Sequence, residues 1–303
     1  MNKKSLEKYY YAMLLPGIVL LLVFSIAPMG GFIIAFEKYV PIKGMLGSKW
    51  VGLNNFRLLF MFPDVTQVIK NTVFIAVCKI VLGLFVPVAF TLLLNECRSR
   101  WFKRSIQTIV YLPNFLSWVI VAAMFVQIFS VTGIVNTVLK LFGLSQPIIF
   151  MASNVWFQPI VIFTDIWKTF GFSAVVYIAA ISNIDMNLYE AAGMDGANRW
   201  QKMKHITVPG IMTIVILMAT LSLGNVLNAG FDQIFNMYNP AVYQSGDILD
   251  TYTYGLAFGR AGSSGLQRFD LATAMGLFKS VISFILIVTA YRLANRFSDY
   301  TVF

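Results

Sequence analysis

Six long apolar segments follow one another along the chain, separated by polar or basic stretches. Each exceeds the roughly 20 helical residues that cross a hydrocarbon core about 30 Å thick. The predicted spans are residues 13–36, 69–94, 107–130, 155–181, 206–229 and 272–295. Because no polar linker divides them, we expect one transmembrane domain covering residues 1–303. The pattern predicts an all-α membrane protein with six transmembrane helices.

The composition supports this class of protein. Of 303 residues, 58% are hydrophobic and only 12% are charged, against roughly 25% charged residues in soluble domains. These values exclude a disordered chain and argue against a soluble domain. A net charge of +10 would suggest nucleic acid as the partner of a soluble protein. Here the basic residues lie in short segments between spans, so membrane lipid is the expected surroundings and no nucleic acid partner is expected.

The same basic residues predict the orientation in the membrane. Twelve lysines and arginines lie in the short segments at the two ends, after span two and after span four, against seven in the other, longer connections. Because positive charge is enriched on the cytoplasmic side, we expect both termini in the cytoplasm. The connections 37–68 and 230–271 then face outward, and the loop 183–205 faces the cytoplasm.

The loop 183–205 has the pattern of two short helices joined by a turn. Asp185 can cap the first helix, and Gly193 with Gly196 permits a sharp reversal. A second helix follows, with basic side chains at Arg199, Lys202 and Lys204. Two interpretations are open at this point: a knob that docks on a partner protein, or a cap of the bundle at the lipid headgroups.

The residues of this loop carry a family resemblance. Glu190-Ala-Ala192, Asp195-Gly-Ala197 and Pro209 resemble the "EAA" motif of binding-protein-dependent ABC importer permeases. The resemblance implies a type I ABC importer permease-like bundle, in which this loop docks into a groove of a cytoplasmic ATPase. It implies that the docking residues are Glu190, Ala191, Ala192, Asp195, Gly196 and Ala197. Many family members have a second proline where this chain has Thr213, at the entry to span five.

The resemblance covers most of the chain. Segments 39–44, 50–56, 230–240 and 251–254 are similar to the carbohydrate branch of these permeases, the lipoprotein or polysaccharide permeases. This implies a subunit of an importer for oligosaccharides or polysaccharide fragments in a bacterial cytoplasmic membrane. The implied partners are a second homologous permease, two ATPase subunits and an extracytoplasmic solute-binding protein.

Catalytic motifs are missing from the sequence. There is no G-x-x-x-x-G-K-[ST] loop to cradle phosphates, no G-x-S-x-G and no H-E-x-x-H, and His205 is the single histidine. We therefore expect no enzymatic activity, no cofactor and no metal in this chain. ATP and Mg²⁺ are expected on the partner ATPase.

Polar residues inside the spans are candidates for the solute path, because ionisable groups facing lipid are costly. Asp165 and Lys168 lie three positions apart in span four, so they either form an ion pair or face the path. Lys79 in span two and Lys279 in span six need partners on neighbouring helices or on the second permease.

A second candidate group lies in span five and just after it. Asn225, Asn228 and Asp232 can bind sugar hydroxyls, and Phe231 can cover an apolar sugar face. A hydrogen-bonded seam between helices explains the same residues equally well. The alternatives for the whole chain are an ion-coupled secondary transporter, a non-transporting membrane subunit, and an importer for a solute that is not a sugar.

Overall fold

The computed structural model describes residues 3–259 and 267–297, and these residues are largely helical. The α-helices are α1 (Lys3–Leu21), α2 (Gly44–Gly47), α3 (Asn54–Met61), α4 (Pro63–Glu96), α5 (Arg100–Tyr111), α6 (Trp118–Ile128), α7 (Ile134–Leu141), α8 (Phe157–Ser182), α9 (Met186–Met194), α10 (Arg199–Lys202), α11 (Val208–Leu223), α12 (Phe231–Met237), α13 (Tyr243–Gly246), α14 (Leu249–Phe258) and α15 (Phe269–Phe297). Strands β1 (Glu37–Lys38) and β2 (Lys49–Trp50) pair antiparallel.

Shorter helical segments join these elements. π-Helical turns follow α1 and precede α11, at Leu22–Ile26 and Met203–Thr207. Segments of 3-10 helix lie at Ala27–Phe36, Pro41–Lys43, Leu112–Phe115, Phe150–Ala152 and Pro240–Val242.

Five stretches of the described residues are long and apolar enough to cross a membrane. They are Tyr9–Phe36, Pro63–Glu96, Phe157–Ser182, Arg199–Leu223 and Phe269–Thr289. A sixth crossing exists if the bent pair Arg100–Phe115 and Trp118–Ile128 is one span. The prediction of an all-helical membrane protein is confirmed.

The predicted third span, residues 107–130, consists of two helical parts that meet at 103°. Pro113, which has no N–H for the helical ladder, lies in the 3-10 turn Leu112–Phe115 that follows α5, and the break comes directly after this turn. Leu116 and Ser117 then adopt extended backbone, and the Ser117 hydroxyl accepts from the Ile120 N–H to start α6. A proline and a serine cap within the apolar run therefore turn the chain.

The fifth span ends earlier than predicted, because α11 ends at Leu223 rather than near residue 229. Tight turns follow, in which the N–H of Asn225 donates to the Ser222 carbonyl and that of Asn228 to the Asn225 carbonyl. Gly230 then takes a left-handed backbone, with φ of 96°, before α12 begins. Asn225 and Asn228 consequently lie on a turn and not on the helix.

The described residues form two compact units. The first comprises residues 3–62, 253–259 and 267–278, and the second comprises residues 63–252 and 279–297. The single domain predicted for residues 1–303 stays a prediction. In the second unit α4 packs along α8, and α6 packs on α12. Its apolar core includes Ile75, Val121, Phe157, Ile234 and Ile248, each fully buried.

The first unit is held by one buried amide. Asn55 is 2% exposed, and its Nδ2 donates to the carbonyls of Ala35 at 2.9 Å and Glu37 at 2.8 Å. The ring of Phe36 stacks on Trp50, with centroids 5.6 Å apart. These contacts fix the two-stranded ribbon at the end of the first span.

Candidate functional site

A pocket of about 250 Å³ lies in the second unit, between α4, α8 and the turn that follows α11. Small residues such as Gly83 and Gly230 line part of it. Its polar lining consists of Lys79, Asp165, Ser173, Ser222, Asn225 and Asn228. Hydrogen-bonding groups from three separate chain segments therefore converge on one space.

Lys79 of α4 is the cation of this pocket, and its side chain is only 9% exposed. Its Nζ lies 3.2 Å from Asp165 Oδ1 on α8. The same ammonium donates to the Ala229 carbonyl at 2.7 Å and to Gln233 Oε1. An ammonium has three N–H donors, so the protein uses all of them.

Gln233 extends this network into the core. It is fully buried, and its Nε2 donates to the Val161 carbonyl and to Thr164 Oγ1, both at 2.7 Å. Gly230 makes the arrangement possible, since a Cβ there would lie 2.9 Å from Lys79 Nζ. The start of α12 is thereby tied to both α4 and α8.

Of the two alternatives for Asp165 and Lys168, the ion pair between them does not form, because Asp165 pairs with Lys79 instead. Lys168 is 7% exposed, and its Nζ donates to the Asn114 carbonyl at 2.9 Å. The same ammonium lies 5.3 Å from the centre of the Trp118 ring. Lys168 thus satisfies a carbonyl freed at the break between α5 and α6.

Lys279 of α15 forms a second charged contact. Its Nζ lies 2.6 Å from Asp250 Oδ1 and donates to Asn228 Oδ1 at 3.2 Å. Both Lys79 and Lys279 therefore pair with a neighbouring carboxylate, one of the two arrangements expected for them. Asn228 connects the second pair to the pocket.

The structure brings together only part of the predicted path. Asp165, Asn225 and Asn228 line the pocket, whereas Lys168, Phe231 and Asp232 do not. Phe231 stacks on Phe235, with centroids 5.1 Å apart, and Asp232 is exposed.

Sequence reasoning did not identify Ser173 and Ser222 as lining residues. Isolated serines in apolar helices carry no spacing signal, and only the packing of α8 beside the turn places them there. A role in solute passage stays a prediction for every path candidate.

The loop between α8 and α11 has the predicted form of two helices and a turn. The carboxylate of Asp185 accepts from the Asn187 N–H at 2.9 Å and so caps α9. At the other end Gly196 has φ of 77°. The N–H of Ala197 donates to the Ala192 carbonyl and that of Gly196 to the Gly193 carbonyl. This is a Schellman ending, in which glycine takes the left-handed position.

Two contacts fasten the loop to the spans, and a third joins its two helices. The Tyr189 hydroxyl hydrogen-bonds Thr207 at 2.9 Å, and Lys202 Nζ donates to the Tyr189 carbonyl. Arg199 lies 4.0 Å from Glu96 at the end of α4. Tyr189 thus connects α9 to the entry of α11.

The six residues predicted to dock are largely accessible. Glu190, Ala191, Asp195 and Gly196 are exposed, and Ala192 and Ala197 are half-buried. Large apolar side chains beside them also face solvent, and among these Met194 is 86% and Trp200 73% exposed. Apolar groups on a connecting loop are suited to burial against a partner or in headgroups.

Residues 88–299 match the family described as "Binding-protein-dependent transport system inner membrane component". The match covers more than half of the chain, and the chain belongs to this family. It is a membrane permease component of a transport system, so the prediction of a transport subunit rather than an enzyme is confirmed.

Relatives of known role resemble the chain over nearly its whole length. The polygalacturonan/rhamnogalacturonan transport system permease protein YteP of Bacillus subtilis is 38% identical over 97% of this chain and 89% of the relative. The chain also resembles the crystal structure of a bacterial ABC transporter involved in importing the acidic polysaccharide alginate. The identity is 36% and the TM-score 0.87, with 96% of each chain covered. This likeness confirms the ABC importer permease fold.

A second structure of an alginate transporter contains an alginate pentasaccharide-bound periplasmic protein. The present chain and the matching chain of that structure align over 98% of each, with a TM-score of 0.88.

Proposed function

We propose that the chain is the permease subunit of an ATP-driven importer for oligosaccharides or polysaccharide fragments. The observation that carries this is the likeness, over 96% of the chain, to a permease of an alginate importer. The polygalacturonan permease YteP, 38% identical, points to the same class of solute. A pocket lined by hydroxyl, amide and carboxylate groups is chemically suited to sugar hydroxyls.

The partners follow from the family. Dependence on a binding protein is part of its description, and a periplasmic protein accompanies one of the similar structures. The proposal adds a second homologous permease and two ATPase subunits, which supply the ATP and Mg²⁺ chemistry that this chain lacks. It places both termini and the loop 183–205 in the cytoplasm.

The loop is proposed to transmit ATPase closure to the spans. Exposed Glu190, Ala191 and Asp195 would meet the ATPase, with Met194 and Trp200 buried at the contact. A displacement of α9 would pass through the Tyr189–Thr207 hydrogen bond into α11. Alternating exposure of the pocket to the two sides of the membrane would follow.

The proposal is tested by purifying the tagged chain from its own host in mild detergent, with mass spectrometry of the proteins recovered. We expect a P-loop ATPase and a second six-span protein in stoichiometric amounts. Glu190→Ala should weaken the ATPase band, whereas Asp64→Ala, at an exposed carboxylate on α4, should not. Recovery of the chain alone, under conditions that preserve known complexes, would contradict the proposal.

A further inference from the structure

We propose that the pocket beside Lys79 and Asp165 selects an uncharged sugar ring over a uronate, a sugar that carries a carboxylate. This inference rests on the proposed function and narrows its substrate class. It separates the chain from relatives whose names specify acidic polymers.

The cation of the pocket is already saturated with hydrogen bonds. Lys79 has three N–H donors, and they go to Asp165 Oδ1, the Ala229 carbonyl and Gln233 Oε1. A sugar carboxylate could bind Lys79 only by displacing one of these buried partners. Breaking such a buried hydrogen-bond network costs more free energy than a solvent-exposed contact with the sugar carboxylate would regain.

Two other lysines of the spans, Lys168 and Lys279, do not line the pocket. Lys279 is engaged by Asp250 and Asn228, and Lys168 donates to the Asn114 carbonyl. The described lining of the pocket contains no arginine, the residue best suited to bind a carboxylate with two hydrogen bonds. A site for polyanions would need at least one unpaired cation.

The accessible charged group of the pocket is a carboxylate. Asp165 is the more accessible member of its ion pair, 22% exposed against 9% for Lys79. The pair uses one carboxylate oxygen, and within the described residues the second has no hydrogen-bond partner. That oxygen accepts from a sugar hydroxyl and repels a sugar carboxylate. Amides of Asn225 and Asn228 add neutral donors and acceptors.

The volume is consistent with a single ring. The pocket volume of about 250 Å³ is smaller than that of pockets for drug-sized ligands, which is about 300–1,000 Å³. One sugar unit can occupy this part of the path, and the rest of a longer chain would extend beyond it.

The test uses two probes, digalacturonate and its dimethyl ester, in which two methyl groups replace the two negative charges. Their binding is measured by saturation-transfer NMR to the complete importer in nanodiscs without its binding protein, so that selectivity of that protein does not enter. We expect the ester to bind the wild type about fivefold more tightly than the free acid. Equal or tighter binding of the free acid would overturn the proposal.

Two variants change the charge of the pocket in opposite directions. Asp165→Asn removes the repelling carboxylate and should bring the free acid to at least the affinity of the ester. Asn225→Asp adds a carboxylate without changing the ion pair and should increase the preference for the ester. This variant keeps the proposal testable if Asp165→Asn folds poorly. The control Asp64→Asn removes an exposed carboxylate outside the pocket and should leave the preference unchanged.

Failure of this inference is distinguishable from failure of the proposed function. If neither probe binds the wild type while cells import oligosaccharides, the pocket assignment is wrong and the importer proposal stands. If cells import no oligosaccharide under any energised condition, the proposed function itself fails.

Discussion

At the residue scale, Lys79 is the group on which the arrangement of the pocket depends. A buried ammonium in an apolar helix is tolerated because three oxygens replace its water. These oxygens come from Asp165, Ala229 and Gln233, so one side chain joins α4, α8 and the segment before α12. Loss of the lysine would leave the buried Ala229 carbonyl and Gln233, and the half-buried Asp165, without this donor.

Lys79→Met should therefore destabilise the protein by about 3–5 kcal/mol, as removal of one member of a buried ion pair does. The measurement is thermal unfolding in detergent, followed by tryptophan fluorescence. The double variant Lys79→Met/Asp165→Leu should recover part of the loss, because it also removes the unpaired carboxylate. The matched control Lys70→Met, at an exposed lysine on the same helix, should stay within about 0.5 kcal/mol of wild type. Strictly additive effects in the double variant would contradict the coupling.

The ion pair also shows what residue spacing can and cannot predict. Three positions along a helix make Asp165 and Lys168 neighbours, and this predicts a pair within α8. The spacing carries no information about Lys79, which is 86 positions from Asp165 in the sequence and meets it only because α4 packs along α8. Tertiary packing therefore decides which of two available partners a buried charge takes.

At the scale of single elements, the loop 183–205 was predicted well because its determinants are local. A carboxylate cap at Asp185 and a left-handed glycine at Gly196 are visible in the sequence and appear in the structure. The third and fifth spans were predicted less well. Apolar runs mark where a span lies, but hydropathy does not report the extended backbone at Leu116 and Ser117 or the turns after Leu223.

Gly196→Leu should uncouple ATP hydrolysis from transport. A side chain at φ of 77° costs about 1–2 kcal/mol of backbone strain and places bulk on the proposed docking face. ATPase activity of the reconstituted complex should no longer rise with loaded binding protein, and uptake should fall. Gly143→Leu carries the same strain, at φ of 94° and with open space around its Cβ, in the connection after α7, and should couple normally. Unchanged uptake with Gly196→Leu would count against the docking role.

The bend of the third span is stabilised by contacts of Lys168 that can be tested. Lys168 donates to the Asn114 carbonyl and faces the Trp118 ring, so Lys168→Met should loosen the break by about 1–3 kcal/mol. Hydrogen exchange of a peptide covering residues 112–118 should then accelerate roughly tenfold or more. Exposed Lys140→Met is the control and should leave that peptide unchanged. Equal exchange in both variants would show that Lys168 does not hold the bend.

At the scale of the whole molecule, the proposed function assigns the membrane path and the cytoplasmic contact to this chain and the energy source to a partner ATPase. Its sequence has no phosphate-binding loop, and its family depends on a binding protein. An ion-coupled transporter would need carboxylates for coupling near the middle of the membrane. The pocket offers Asp165, held in an ion pair with Lys79. An external ATPase therefore accounts for the chain better than an ion gradient does.

The most direct test of this account is oligosaccharide uptake by cells whose ATP is maintained while an uncoupler collapses the proton gradient. The account predicts that uptake continues at its original rate, and that it stops when ATP is depleted with the gradient intact. Deletion of the gene for the co-purifying ATPase should abolish uptake in both conditions. Uptake that collapses with the uncoupler while ATP is maintained would contradict the account and establish an ion-coupled transporter.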